Sequence, residues 1–332
     1  MSTEMESKMN FIGDVFLDRV HNKIPLKNYI CNLEYPITIH DEAIPGKVNL
    51  KADKGYYLET FGQLPIAVSL ANNHIFDFGK KGALDTIDYL NSKNIKYCGL
   101  GNSNNNYNNP CYLEALAEKI ALLSYCCLST NPGRGDGDLD LAIIEEDKII
   151  KDIILAKNNS SKIILLLHWG DEECFLPKPE DVKLARRLIA AGADMIIGHH
   201  AHIIQSHEIY KGKDIYYGLG NSVFPDLDTP SYFDCKGVSN YRFIKEQRSW
   251  NKNGLLLSLD SNFNVTNHLM NSTNSNPKIS DVKYFPPSLI VTNDAIYKII
   301  KDFKYRSIMI MNFIENPKIP DMERIKRFVS GK

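Results

Sequence analysis

This sequence carries almost no net charge. Its 332 residues sum to −1 with histidine neutral, so no global field argues for nucleic acid or an anionic membrane as the partner. No run of about 18 uninterrupted apolar residues occurs, so no membrane span or direct membrane insertion is expected. The first eight residues are acidic and polar, with no basic segment leading into an apolar one, and no secretory leader is expected. Cysteine is unpatterned: seven residues, an odd number, with no C-x-x-C pair. A disulfide framework is not expected, and a reducing, cytoplasmic setting is. Hydrophobic content of 43% and charged content of 24% fit a folded soluble chain. The length allows one large α/β unit with an appendage.

Histidine is also scarce, nine in all, yet His199, His200 and His202 fall within four positions. They follow the apolar run Met195, Ile196, Ile197, where a strand ends and a turn begins. Imidazoles at a strand end gain little for a core unless a metal or charged ligand holds them. His168 ends the run 163–167, and His74 follows the run 66–70. Three strand ends carrying histidine point to a metal site at the carboxyl edge of a sheet.

The apolar spacing predicts strands at 9–12, 29–31, 64–71, 95–98, 163–167, 195–197, 203–210 and 214–219. It predicts helices at 80–92, 145–157 and 180–191, the last closed by Gly192. Residues 112–117 and 119–128 suggest an antiparallel pair, and 255–259 with 263–267 a hairpin. Strand, helix, strand order implies parallel crossover units. After Ser272 the chain turns polar. The division expected is one domain at 9–272, then a linker and helical tail at 273–332 packed on the core.

The polar residues at strand ends are Asp14, Asn32, Glu34, Asn73, His74, His168, His200 and His202. Carboxylate, amide oxygen and imidazole make a mixed oxygen and nitrogen set. Such a set suits Mn, Fe or Zn better than Ca or Mg. There are more candidates than one tetrahedral zinc needs. Two divalent ions bridged by a carboxylate would use them all, an arrangement that acidifies water and clamps phosphoryl oxygens.

The blocks Phe11-Ile12-Gly13-Asp14, Asn32-Leu33-Glu34-Tyr35-Pro36 and Leu70-Ala71-Asn72-Asn73-His74 continue with His168-Trp169-Gly170-Asp171-Glu172. Gly198-His199-His200-Ala201-His202 and Tyr217-Gly218-Leu219-Gly220-Asn221 follow. In this order they resemble the bacterial capsule-biosynthesis CapA family, a branch of the calcineurin-like metallophosphoesterase superfamily. The resemblance covers about residues 9 to 225.

It implies an α/β fold, a four-layer sandwich of two sheets flanked by helices, with a C-terminal helical extension. It implies that Asp14 and His202 hold one metal, that Asn73, His168 and His200 hold the other, and that Glu34 bridges them. It makes His74 the neighbouring acid that protonates the leaving oxygen or stabilises the transition state; Asp77, by its position, is an orienting partner of His74 or the cap of the helix at Lys80. Arg19, Asn32, Glu172, His199 and Asn221 are candidate substrate contacts, with a surface salt bridge as the alternative for Arg19, a solvent-facing position for Glu172 and a loop-capping role for Asn221. His199 could instead support a ligand by a hydrogen bond, since strand alternation points it away from its neighbours.

Three departures bear on activity. Superfamily members open with Asp-x-His, whereas Phe16 stands here. Their second block is Gly-Asp, whereas Glu34 is one methylene longer than Asp. Glu173 replaces an aromatic residue and adds negative charge. The function expected is therefore a CapA-like metal-dependent phosphoesterase linked to capsule or poly-γ-glutamate production, acting on a small-molecule or polymer substrate. The alternatives are a non-hydrolytic accessory factor working with capsule-synthesis partner proteins, and a degenerate metal- or ligand-binding module.

Overall fold

Apolar runs that end in polar residues become parallel strands of two stacked sheets. The computed structural model describes residues 8–315 apart from 22 and 272–277. The chain begins with β1 (Met9–Val15), β2 (Tyr29–Leu33), α1 (Tyr57–Phe61), β3 (Ala67–Ser69), α2 (Gly79–Ser92), β4 (Lys96–Cys98) and β5 (Leu100–Gly101). It continues with β6 (Cys111–Ala115), β7 (Glu118–Cys126), β8 (Asp140–Leu141), α3 (Glu146–Lys157), β9 (Lys162–His168), α4 (Pro179–Ala191) and β10 (Met195–His199). Then come β11 (His207–Tyr210), β12 (Lys213–Tyr216), β13 (Asn221–Val223), β14 (Leu227–Phe233) and β15 (Ser239–Lys245). The last elements are β16 (Asn253–Leu259), β17 (Val265–Asn271), β18 (Lys278–Lys283) and α5 (Asp294–Glu315).

The first sheet has the order β18-β17-β16-β1-β2-β3-β4, with β13 also paired to β1. Strands β1 to β4 run parallel, and β16 joins β1 antiparallel. The second sheet has the order β11-β12-β10-β9-β7-β6, with β7, β9, β10 and β12 parallel.

Strand alternation sorts the core into layers. Along β9, Ile164 and Leu166 join Met9, Phe11, Ile30, Leu122 and Ile197 between the two sheets. Ile163, Leu165 and Leu167 face the other way and pack with Ile153 of α3 and with Val182 and Leu188 of α4. On the far side of the first sheet, Ile12, Cys31 and Val68 pack with Ala83 and Leu90 of α2. The result is the expected order of helix, sheet, sheet, helix. Gly192 closes α4 with φ 119°, a left-handed end that glycine adopts without steric cost.

The structure also departs from the expected elements. Residues 64–66 do not join β3, and 203–206 do not join β11. Lys278–Lys283, inside the stretch expected as linker and tail, forms β18 and pairs with β17. Helix α5 supplies the C-terminal extension. Tyr297 is buried against Cys174 and Leu176, its hydroxyl donates to Asp171 at 2.8 Å, and Lys301 meets the same carboxylate at 2.5 Å. No helix among the described residues is long and apolar enough to cross a membrane.

Candidate metal centre

Parallel register gathers the polar strand ends on one edge. Asp14 of β1 lies level with Asn32 of β2, and His168 of β9 lies level with His199 of β10. Glu34 follows β2 by one residue, and Asn73 and His74 sit in the turn after β3. Past β10 the backbone leaves strand geometry: His200 has φ 88° and His202 φ 55°. Left-handed backbone is uncommon for a residue with a side chain and concentrates at functional sites. It also breaks the alternation that sent His199 away. His199 Nδ1 lies 3.3 Å from Asp14 Oδ1.

Two groups of buried side chains could each hold a metal ion. One is Glu34, His168 and His200; the other is Asp14, Glu34 and His202. Within each group, one ligand atom per residue lies within 4.8 Å of the others. Glu34 belongs to both. Its Oε1 is 3.6 Å from His168 Nε2 and 3.7 Å from His202 Nε2. Asn73 Oδ1 is 2.9 Å from His168 Nε2, on the side of the first group.

The donor set fits divalent cations. Glu34 Oε1 and His200 Nδ1 are buried without a hydrogen-bond partner. Such orphans cost desolvation energy that a cation would offset. Burial and the Asp14 carboxylate beside it push the Glu34 carboxyl well above its usual range. Burial raises Asp14 as well, but His199, His202 and Asn32 outweigh it and leave Asp14 below its ordinary value. Burial drives His200 down to about 4. His168 falls well below its ordinary value through burial and the neighbouring histidines. Both are therefore neutral near pH 7, the form in which imidazole binds metal.

Around this set, side-chain amides hydrogen-bond the candidate ligands. Asn32 Nδ2 donates to Asp14 Oδ1 at 2.8 Å and to Glu34 Oε2 at 3.4 Å. Asn221 Oδ1 meets His202 Nδ1 at 2.9 Å. Beside it, His74 Nδ1 is 2.6 Å from Asp77 Oδ2, and Lys47 Nζ is 2.7 Å from Asp77 Oδ1. Burial, aided by the Lys47 ammonium, holds the His74 imidazole below its ordinary value against the pull of Asp77.

Of the residues singled out in the sequence, the structure brings together Asp14, Asn32, Glu34, Asn73, His74, Asp77, His168, His199, His200, His202 and Asn221. Asn32 contacts Asp14 and Glu34, and Asn221 contacts His202, all candidate ligands. Glu172 stands at the rim, 3.6 Å from Lys245. Arg19 is exposed and paired with Asp18 at 2.7 Å. Sequence reasoning missed Lys47, which lies in an irregular loop, and Lys245, which lies on a polar hairpin. Neither segment carries a periodic signal. It also missed Asn251, whose Nδ2 donates to the His202 carbonyl at 3.2 Å.

Residues 9–226 match the family described as Bacterial capsule synthesis protein PGA_cap. The capsule biosynthesis protein CapA of Bacillus anthracis is 32% identical over 245 residues, 68% of this chain and 57% of that protein. The PGA biosynthesis protein CapA of Bacillus subtilis (strain 168) is 28% identical over 252 residues, 65% of this chain and 62% of that protein. A probable polyglutamine synthesis accessory protein of Mycobacterium tuberculosis (strain ATCC 25618 / H37Rv) is 31% identical over 175 residues, 48% of this chain and 45% of that protein. The chain spans less than two thirds of the length of each of these relatives. A crystal structure of a hypothetical protein from Thermus thermophilus aligns over 84% of this chain and 100% of that chain, with a TM-score of 0.39 and 14% identity, a likeness too weak to argue from.

Proposed function

Because the chain belongs to the bacterial capsule synthesis protein PGA_cap family, we propose that it is a metal-dependent phosphoesterase serving capsule or poly-γ-glutamate production, with two divalent ions of Mn, Fe or Zn as cofactors. The observation that carries this reading is Glu34, one buried carboxylate common to two ligand groups. A carboxylate shared between two cations is a donor arrangement suited to two-metal phosphoryl chemistry.

When bound, such ions supply Lewis-acid polarisation and acidify water. Asp14, Glu34 and His202 would hold one ion. Glu34, His168, His200 and Asn73 Oδ1 would hold the other. Asn32, His199 and Asn221 fix the orientation of these ligands. His74 engages Asp77 through Nδ1, so Nε2 faces the departing oxygen and gives it a proton from the imidazolium form of the ring. Asp77 orients the ring and offsets the charge of that imidazolium. Glu172 and Lys245, paired at 3.6 Å, would meet substrate. The substrate is a small molecule or a polymer.

The test has two steps. The purified full chain is analysed for Mn, Fe and Zn before and after reloading. It is then screened, with metal, against phosphomonoesters, phosphodiesters, nucleotides and γ-glutamyl peptides. Metal-dependent phosphate or alcohol release supports the reading. Absence of bound metal after reloading removes its basis. Cleavage of γ-glutamyl peptides alone replaces phosphoryl with amide chemistry.

One observation favours a second reading, an accessory factor that works with capsule-synthesis proteins without hydrolysis. At the position where the superfamily places a histidine ligand, Phe16 is buried and packs its ring 5.1 Å from Tyr35 and 5.6 Å from Phe224. Co-purification with a polymer synthase, with polymer lost on deletion yet restored by a His74→Asn variant, would favour this reading.

A further inference from the structure

Lys47 lies in the irregular loop between β2 and α1, and it is 7% exposed. A buried ammonium is costly unless paired and hydrogen-bonded, and here the pairing is specific. Nζ lies 2.7 Å from Asp77 Oδ1 and also donates to the backbone carbonyl of Asn73. The other Asp77 oxygen meets His74 Nδ1 at 2.6 Å and accepts from Leu50 N at 2.7 Å. Asn73 in turn presents Oδ1 to His168 Nε2 at 2.9 Å. One cation therefore ties the turn that carries a candidate ligand to the carboxylate that orients the neighbouring imidazole.

The loop is built to hold that cation in place. Ile44 N donates to the Asp77 carbonyl at 2.8 Å, and Asn49 Nδ2 donates to the same carbonyl at 3.2 Å. Tyr232 N of the β14–β15 hairpin donates to the Lys47 carbonyl at 3.0 Å. Residues on both sides of Lys47 thus grip Asp77, while the hairpin secures its backbone from outside.

We infer that Lys47 is a positioning residue: through Asp77 and the Asn73 carbonyl it sets how the His74 imidazole is presented to the centre. It acts through other groups and touches no ligand atom. Without the ammonium, Asp77 keeps a carboxylate oxygen with no cation beside it, and the Asn73 carbonyl loses a donor. The hydrogen bond from His74 to Asp77 must readjust. An inert buried pair would add stability and leave that hydrogen bond as it is.

The test uses the full chain with 15N-labelled histidine. The proton between His74 Nδ1 and Asp77 is assigned by its loss in His74→Asn. It is then followed in Lys47→Met, Lys47→Gln and Lys47→Arg, with Lys51→Met on the same loop as control. Lys47→Met and Lys47→Gln are expected to shift or erase the resonance, and Lys47→Arg and Lys51→Met to retain it. If Lys47→Met does not fold, Lys47→Gln decides. A resonance unchanged in a folded charge-removing variant overturns the inference.

A kinetic arm rests on the hydrolase reading. Lys47→Met should lower kcat about 10–100-fold at nearly constant KM and add little to His74→Asn. The resonance is read without substrate or metal, so failure of the hydrolase reading and failure of this inference are distinguishable.

Discussion

His202 Nε2 lies 3.7 Å from Glu34 Oε1, so a residue that follows the first sheet meets one that follows the second. Neither sheet holds both halves of the candidate ligand set. If Glu34 is the shared donor, its loss has a different consequence from the loss of a histidine. Glu34→Ala should abolish binding of about two ions per chain, whereas His202→Ala and His200→Ala should each cost about one. Elemental analysis after dialysis against Mn checks this. Equal losses in all three variants would contradict the shared role.

His74 binds Asp77, and it stands outside both ligand groups. Its substitution should therefore separate rate from metal content. His74→Asn is expected to lower phosphoester turnover by about 10²–10⁴-fold with metal content unchanged. Retained turnover, or loss of metal, would remove His74 from the proton-donor role.

Asp181 gives a pH dependence away from the centre. It is buried in the first turn of α4, and its Oδ2 has no hydrogen-bond partner. Burial raises it from 3.8 to about 7 despite Lys178 nearby. An acid whose folded value lies above its unfolded value binds more protons when folded. Its contribution is complete below about pH 4 and lost as pH rises through about 7. Asp181→Asn stays neutral, so its stability advantage should grow across that window to at most about 4 kcal/mol. Thermal unfolding at about pH 5 and pH 8 checks the sign. A difference in Tm that shrinks with rising pH would contradict it.

Gly198 tests the close approach that sets the histidine turn. A Cβ there would meet the Tyr217 carbonyl oxygen at 1.8 Å and Trp169 Nε1 at 2.6 Å. Trp169 Nε1 already donates to that carbonyl at 3.0 Å. Gly198→Ala should cost about 1–3 kcal/mol or more, because β10 must move away from Tyr217. Gly137→Ala, where nothing lies within 4 Å, should be close to neutral. Similar Tm values for the two variants would contradict this packing.

The gathering of polar strand ends was legible because β9 and β10 are covered on both faces. Such strands read as unbroken apolar runs, and the first polar residue after them stands out. His168 and His200 are visible for that reason. The orientation of His199 was not, because the left-handed backbone at His200 and His202 has no signature in residue type. The hairpin of β14 and β15 was invisible: Asp228, Pro230, Arg242 and Lys245 give neither alternation nor an apolar run. β18, with most of its residues exposed at a sheet edge, was hidden for the same reason. Lys47 is fixed by tertiary partners alone, so no local pattern announces it.

The central claim is that Glu34 is shared by two cations, and anomalous diffraction tests it most directly. Crystals of the full chain grown with Mn would be measured above and below the metal absorption edge. The account predicts two anomalous peaks flanking Glu34, one beside His168 and His200 and the other beside Asp14 and His202. A protein that takes up Mn elsewhere, or shows no peak beside Glu34, would contradict it.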